Sequence, residues 1–183
     1  MKILKLIRQV ILTAMMTVAM QAVAFAATPG NAAPLGLELG KSTSADVASM
    51  APQHEDAGMN AYSKGPQWNT SGTEAGVDGV KGISYLFDRS NVLVGVIVRF
   101  PKDPKGMMKI LSAKYRLVSN KVDTFMNYGT ARYEKGDSYI DIHAPHLSFD
   151  MTVTYTTKGL MASFTKDVAT KRVVEGQAKA QKF

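Results

Sequence analysis

The chain has 183 residues, 22 of them Lys or Arg against 15 Asp or Glu, a formal net charge of +7, and no cysteine. The missing cysteine excludes a disulfide framework, a thiolate metal site, a cysteine nucleophile and the lipid-bearing cysteine of a bacterial lipoprotein. Of the +7, three charges lie in residues 1–26 and a net three in 171–183, so residues 27–170 carry only +1, which is not the electrostatic footprint of a nucleic-acid-binding protein.

Residues 1–26 read as an export signal. Lys2, Lys5 and Arg8 form a basic head, the run from Val10 to Phe25 is uncharged and mostly apolar, and Ala24-Phe25-Ala26 offers small residues to a signal peptidase. The run is short for a membrane span, which takes ~20 apolar residues. The expectation is a bacterial signal peptide cleaved after Ala26, a periplasmic or secreted protein, and no stable membrane insertion once it is removed. Residues 27–170 then make a single α+β domain, followed by a basic, disordered tail over 171–183.

In chain order, Leu35, Leu37 and Leu39 alternate and predict a short strand ended by Gly40. A hydroxyl among Ser42, Thr43 and Ser44 caps a helix with Asp46 in its first turn and Val47 and Met50 turned inward, which Pro52 limits to about two turns. This entry resembles the opening of small bacterial envelope proteins of the BamE/SmpA-like and β-lactamase-inhibitor-protein-like group. The resemblance implies helices packed on a small antiparallel sheet and a role in binding or assembly. It brings over no functional residue: the lipid-attachment cysteine of the assembly lipoproteins is absent, and no second helix precedes the sheet.

From Ala51 to Lys81 the chain is rich in Gly, Asn, Ser and Pro without a sustained apolar period, and reads as one long loop. Met59, Tyr62, Trp68 and Val77 are the apolar residues able to tack it down. Tyr62 and Trp68 exposed together make an aromatic contact surface for a protein or peptide partner; the alternative is that Trp68 closes the open end of the sheet.

Gly82 to Phe100 is the clearest pattern in the chain. Ile83, Tyr85 and Phe87 fall on one face of a strand, and Val92, Val94, Val96 and Val98 on one face of the next, with Leu86, Leu93 and Ile97 opposite. Asp88-Arg89-Ser90-Asn91 is the turn between them. Asp103 and Pro104 then open a helix that packs Met107, Ile110 and Leu111 on the sheet. A short strand follows from Tyr115 to Ser119, with a connection from Asn120 to Tyr128. A hairpin then pairs Thr130–Tyr133 with Tyr139–Ala144 about Gly136. The last strand is expected over Leu147–Tyr155 with Leu147, Phe149, Met151, Val153 and Tyr155 inward. A helix over Lys158–Thr170 carries Leu160, Met161, Phe164 and Val168 on one stripe. The sum is an antiparallel sheet of about five to six strands packed against two or three short helices, read as two α/β halves sharing one sheet.

Asp141, His143, His146 and Asp150 are the one cluster with the residue types of a chemical site, and four such donors brought together suit zinc or copper. Pro145 keeps the pair off a helix, and the spacing matches no metal signature. Ser148 lies between His146 and Asp150, but side chains two apart on a strand are roughly 7 Å from each other, too far for a nucleophile and its base. With no nucleophile elbow, phosphate loop or zincin motif, the chain reads as a non-enzymatic binding or envelope-assembly module for a protein or peptide partner, without a cofactor. The alternative is a small-ligand or metal carrier using the His/Asp cluster.

Overall fold

A computed structural model of the chain describes residues 30–180 apart from positions 75, 77 and 124. The expected signal segment, its cleavage after Ala26, and Val77 lie outside the described residues. The order of elements is α1 (Ser44–Met50), β1 (Glu55–Met59), β2 (Lys64–Ser71), β3 (Gly82–Asp88), β4 (Leu93–Pro101), α2 (Pro104–Ser112), β5 (Arg116–Asp123), β6 (Tyr128–Lys135), β7 (Ser138–Ala144), β8 (Asp150–Thr157) and α3 (Lys158–Ala180).

The strands form one eight-stranded antiparallel sheet in the order β1-β2-β3-β4-β8-β7-β6-β5. Each half is a helix followed by a four-stranded meander. After β4 the chain passes through α2 to the far edge and works back, so that β8 pairs with β4 at the centre, from Gly95 opposite Thr156 to Pro101 opposite Asp150. The sheet therefore has more strands than the five or six expected. The added pair, β1 and β2, lies in the stretch read as a loop.

Both added strands lack the apolar alternation that marks a half-buried strand. All of β1 is exposed, and it is held through backbone pairing to β2, with Glu55 opposite Asn69 and Asp56 opposite Trp68. In β2, Pro66 falls where the register shifts on both sides, at bulges that tolerate a missing donor.

Registers through all eight strands define two faces. One row runs Asp56, Trp68, Tyr85, Val96, Tyr155, Ile140, Tyr133 and Leu117; its neighbour, on the opposite face, runs Glu55, Asn69, Ser84, Ile97, Thr154, Asp141, Arg132 and Ser119. The first face is the core. Tyr85, Phe87, Leu93, Val96, Tyr133, Ile140, Ile142, Met151 and Val153 are buried there beneath Leu37, Leu39, Val47 of α1 and Leu111 of α2.

The expected helix entry forms as read: the Thr43 backbone N–H donates to Asp46 at 2.7 Å in a capping box, and the helix stops two residues before Pro52. Val47 is buried, whereas Met50 is exposed. The expected strand at Leu35–Leu39 is instead a 3-10 turn over Pro34–Gly36, with Leu35 itself in the left-handed region at φ 56°. Leu37 and Leu39 still reach the core, because Leu39 N donates to Ala32 O and Gly40 N to Leu93 O.

The β3–β4 hairpin also forms as read. Asp88 Oδ1 accepts from Ser90 N and Val92 N, and Asn91 takes φ 60°. A bulge between Leu86 and Phe87 changes the phase of β4, so Leu93 is buried in the core rather than on the far face. In α2, Asp103 caps Gly106 N at 3.0 Å, and Leu111 packs inward while Ile110 is exposed. The second hairpin closes at Gly136, φ 55°.

Two further expectations change at the C-terminal end. β8 begins at Asp150, so Leu147 and Phe149 precede it in the β7–β8 connection and point to solvent instead of inward. The helix expected to end at Thr170 continues to Ala180, so most of the tail read as disordered is helical, with residues 171–175 and 177 exposed.

Candidate functional site

The aromatic pair expected to share a contact surface is divided between the two faces of the sheet. Trp68 stands opposite Tyr85 and is packed against the core; its indole stacks on His54 with ring centroids 3.8 Å apart and meets Phe87 edge-on at 4.8 Å. Tyr62, in the β1–β2 turn, meets Phe164 of α3 edge-on at 4.9 Å on the opposite face. Trp68 thus closes the sheet, and Tyr62 helps to hold the C-terminal helix.

The His/Asp cluster does not assemble into a donor set. Asp141 on β7 accepts two parallel hydrogen bonds from Arg132 on β6, Nε at 2.7 Å and Nη2 at 2.9 Å, an arrangement that holds the Arg132 guanidinium even more firmly protonated. Asp150 is ion-paired with Lys81. His146 sits edge-on to Tyr128 at 4.8 Å, while His143 is exposed on β7. Among the described residues no group of three or more His, Cys, Asp or Glu side chains converges as a metal centre requires.

The open face around Arg132 is polar. Tyr139 lies under two cations, Arg132 Cζ at 4.7 Å and Lys158 Nζ at 5.4 Å from the ring centroid, and Ser84 Oγ donates to Asn69 Oδ1 at 2.7 Å. This half-solvated face is what alternating threonines on β8 lead one to expect.

The conspicuous surface is at one end of the second meander, where the β5–β6 and β7–β8 connections lie side by side. Gly129 pairs with Ala144, and the Tyr128–His146 contact joins the two connections. Phe125 is 92% exposed, Leu147 and Phe149 are each 93% exposed, and Met126 is half exposed. Four large apolar side chains exposed at the same end of the sheet are a candidate interaction surface.

Both connections are built to hold a shape. Asp123 Oδ1 accepts from the backbone of Phe125 and of Met126, each at 2.8 Å, and Asn127 N donates to Asp123 O. These bonds, with Lys105 nearby, hold the Asp123 carboxyl below the usual aspartate range. Gly129 takes φ 128°, and a Cβ there would stand 2.1 Å from Lys121 O. In the other connection Lys102 Nζ donates to Pro145 O at 2.6 Å and to His146 O at 3.2 Å, and Lys102 N to Phe149 O at 2.8 Å.

Sequence reasoning did not single out these four residues, reading Phe125 and Met126 as connection and Leu147 and Phe149 as core. The signal was Phe-Met followed by Asn-Tyr-Gly, and Leu-Ser-Phe just after Pro145-His146: apolar residues inside turn chemistry rather than inside a strand.

Comparison with protein-family models, with curated proteins and with solved structures returns no match.

Proposed function

We propose that this chain is an exported, non-enzymatic binding module of a bacterial envelope that docks on a protein partner through the paired tips carrying Phe125, Met126, Leu147 and Phe149. The observation that carries this reading is the near-complete exposure of three of those side chains on connections whose backbones are tied down. A rigid apolar projection loses little conformational freedom on docking, which is how a small contact acquires useful affinity.

The charge around the tips favours protein over lipid. Lys102, Lys105 and Lys121 stand against Asp103 and Asp123, and Lys81 is paired with Asp150, which leaves a net of only +1 (3 − 2), whereas an anionic membrane surface is recognised by a cluster of cations. Among the described residues no helix is long and apolar enough to cross a membrane. The envelope-assembly class implied by the resemblance of the Pro34–Val47 entry agrees with this reading in its capped helix on an antiparallel sheet, but not in its first strand, which is a 3-10 turn here.

The test is photo-crosslinking in the producing cell from position 125 and from position 149, with position 137 at the opposite end of the sheet as control. A discrete protein adduct from the two tip positions, lost when Met126 and Leu147 are both changed to Asp, is the expected result. Adducts no stronger than those from position 137, or adducts to lipid alone, would overturn the proposal.

A further inference from the structure

On the face away from the core, α3 does not close down fully on the sheet. Leu160, Met161 and Phe164 make a roof and Leu86 and Ile97 a floor, and the cleft between them measures about 270 Å³. Gly95 lets the helix come this near: a Cβ there would stand 3.1 Å from Leu86 Cδ1 and 3.2 Å from Leu160 Cδ2.

Into this mainly hydrocarbon lining β8 contributes Thr154 and Thr156; Thr156 is 5% exposed, and its Oγ1 is the one buried hydroxyl of the lining with no hydrogen-bond partner among the described residues. An unanswered buried hydroxyl costs free energy, so natural structures seldom keep one without a use. Asn60, at the end of the cleft, is occupied elsewhere: its side chain accepts from Tyr62 N and Ser63 N and donates to Gln67 Oε1. A trapped water would need two to four polar partners, and the cleft offers mainly hydrocarbon.

An apolar space with one buried, unpaired hydroxyl is complementary to a molecule with the same two properties. We propose that the cleft beneath α3 binds a small, largely apolar molecule, the size of a substituted single ring, whose one hydroxyl or carbonyl oxygen hydrogen-bonds Thr156. The scale follows from volume, since a cavity of about 150 Å³ accepts benzene. None of the loop-tip residues lines this cleft, so the proposal does not depend on the docking surface.

The probes are p-cresol and toluene, which have nearly the same shape and differ by one hydroxyl, titrated into the purified protein and followed through the methyl resonances of Ile97, Leu160 and Met161. Both should shift those methyls, with p-cresol binding about tenfold more tightly, the worth of one net hydrogen bond. Thr156→Val should retain toluene and erase the preference. Ile97→Phe fills the cleft from the floor and Met161→Phe from the roof, and each should weaken both probes. The proposal is overturned if neither probe moves the three methyls, if the preference survives Thr156→Val, or if both filling variants bind p-cresol undiminished.

Discussion

Tyr62 and Trp68 are near neighbours in sequence but stand on opposite faces of one sheet, Trp68 between His54 and Phe87 on the core side and Tyr62 against Phe164 beneath α3. Trp68→Ala is therefore expected to act on stability. Full burial of such a ring is worth about 3–5 kcal/mol on truncation; the half-buried indole here should lose about 2–3 kcal/mol, read as a lower urea midpoint. Crosslinking from positions 125 and 149 should be unchanged in that variant.

The bidentate Arg132–Asp141 pair should be structural and modest. Both side chains are partly solvent-exposed, so a double-mutant cycle through Arg132→Ala and Asp141→Ala should give a coupling of about 0.5–1 kcal/mol, weakening with salt. With its carboxylate held in this way, Asp141 should contribute nothing to zinc affinity. Calorimetric titration of wild type and Asp141→Asn with zinc is expected to give the same trace, and a stoichiometric site lost in the variant would contradict the pairing.

Acid should loosen the tip at Phe125 before it unfolds the sheet. Asp123 has its pKa lowered chiefly by the backbone N–H groups of Met126 and Phe125. A carboxyl depressed in the folded state contributes order that is complete above its unfolded pKa, about 3.9, and that disappears as pH falls through the folded value. Amide exchange at Phe125 and Met126 should accelerate as pH drops below about 4, relative to the intrinsic rate, and Asp123→Ala should show the accelerated exchange at neutral pH.

Ending the chain after Thr170 should cost little. Residues 171–175 of α3 are exposed, including Val173 and Val174, and a helical extension without packing is marginal by itself. The truncated protein should keep its urea midpoint, with a change of less than about 0.5 kcal/mol, while losing far-UV helical signal. A large loss of stability would mean that the extension packs on the body.

The parts of the fold legible in the sequence are those where burial and period coincide. Ile83, Tyr85 and Phe87 alternate because one face of β3 is core, and Asp103-Pro104 announces α2 because capping chemistry is local. Period alone puts Leu93 on the wrong face because a bulge shifts phase by one residue, an event with no composition of its own. β1 was invisible because an exposed edge strand is specified by its partner's backbone, and Glu55-Asp56-Ala57-Gly58-Met59 contains no alternation to find. Period misplaces Leu147 and Phe149 for the converse reason: they continue the alternation of Met151 and Val153 outward past the point where pairing stops. Half of the candidate docking surface, Leu147 and Phe149, is of this kind and pattern reading assigns it to the interior, while Phe125 and Met126 fall in a stretch that reads as connection.

The central pairing of β4 with β8 bears on how the polypeptide matures. The ribosome delivers the first meander complete through Pro101, but the strand that pairs with β4 along Val96 and Val98 is the last of the eight to emerge. Until it does, β4 is a naked apolar edge, open to pairing with any other nascent or truncated copy. Fragments ending before Asp150 should for that reason clump rather than stay in solution, and the chain gains by not committing to the first meander until its final strand is available.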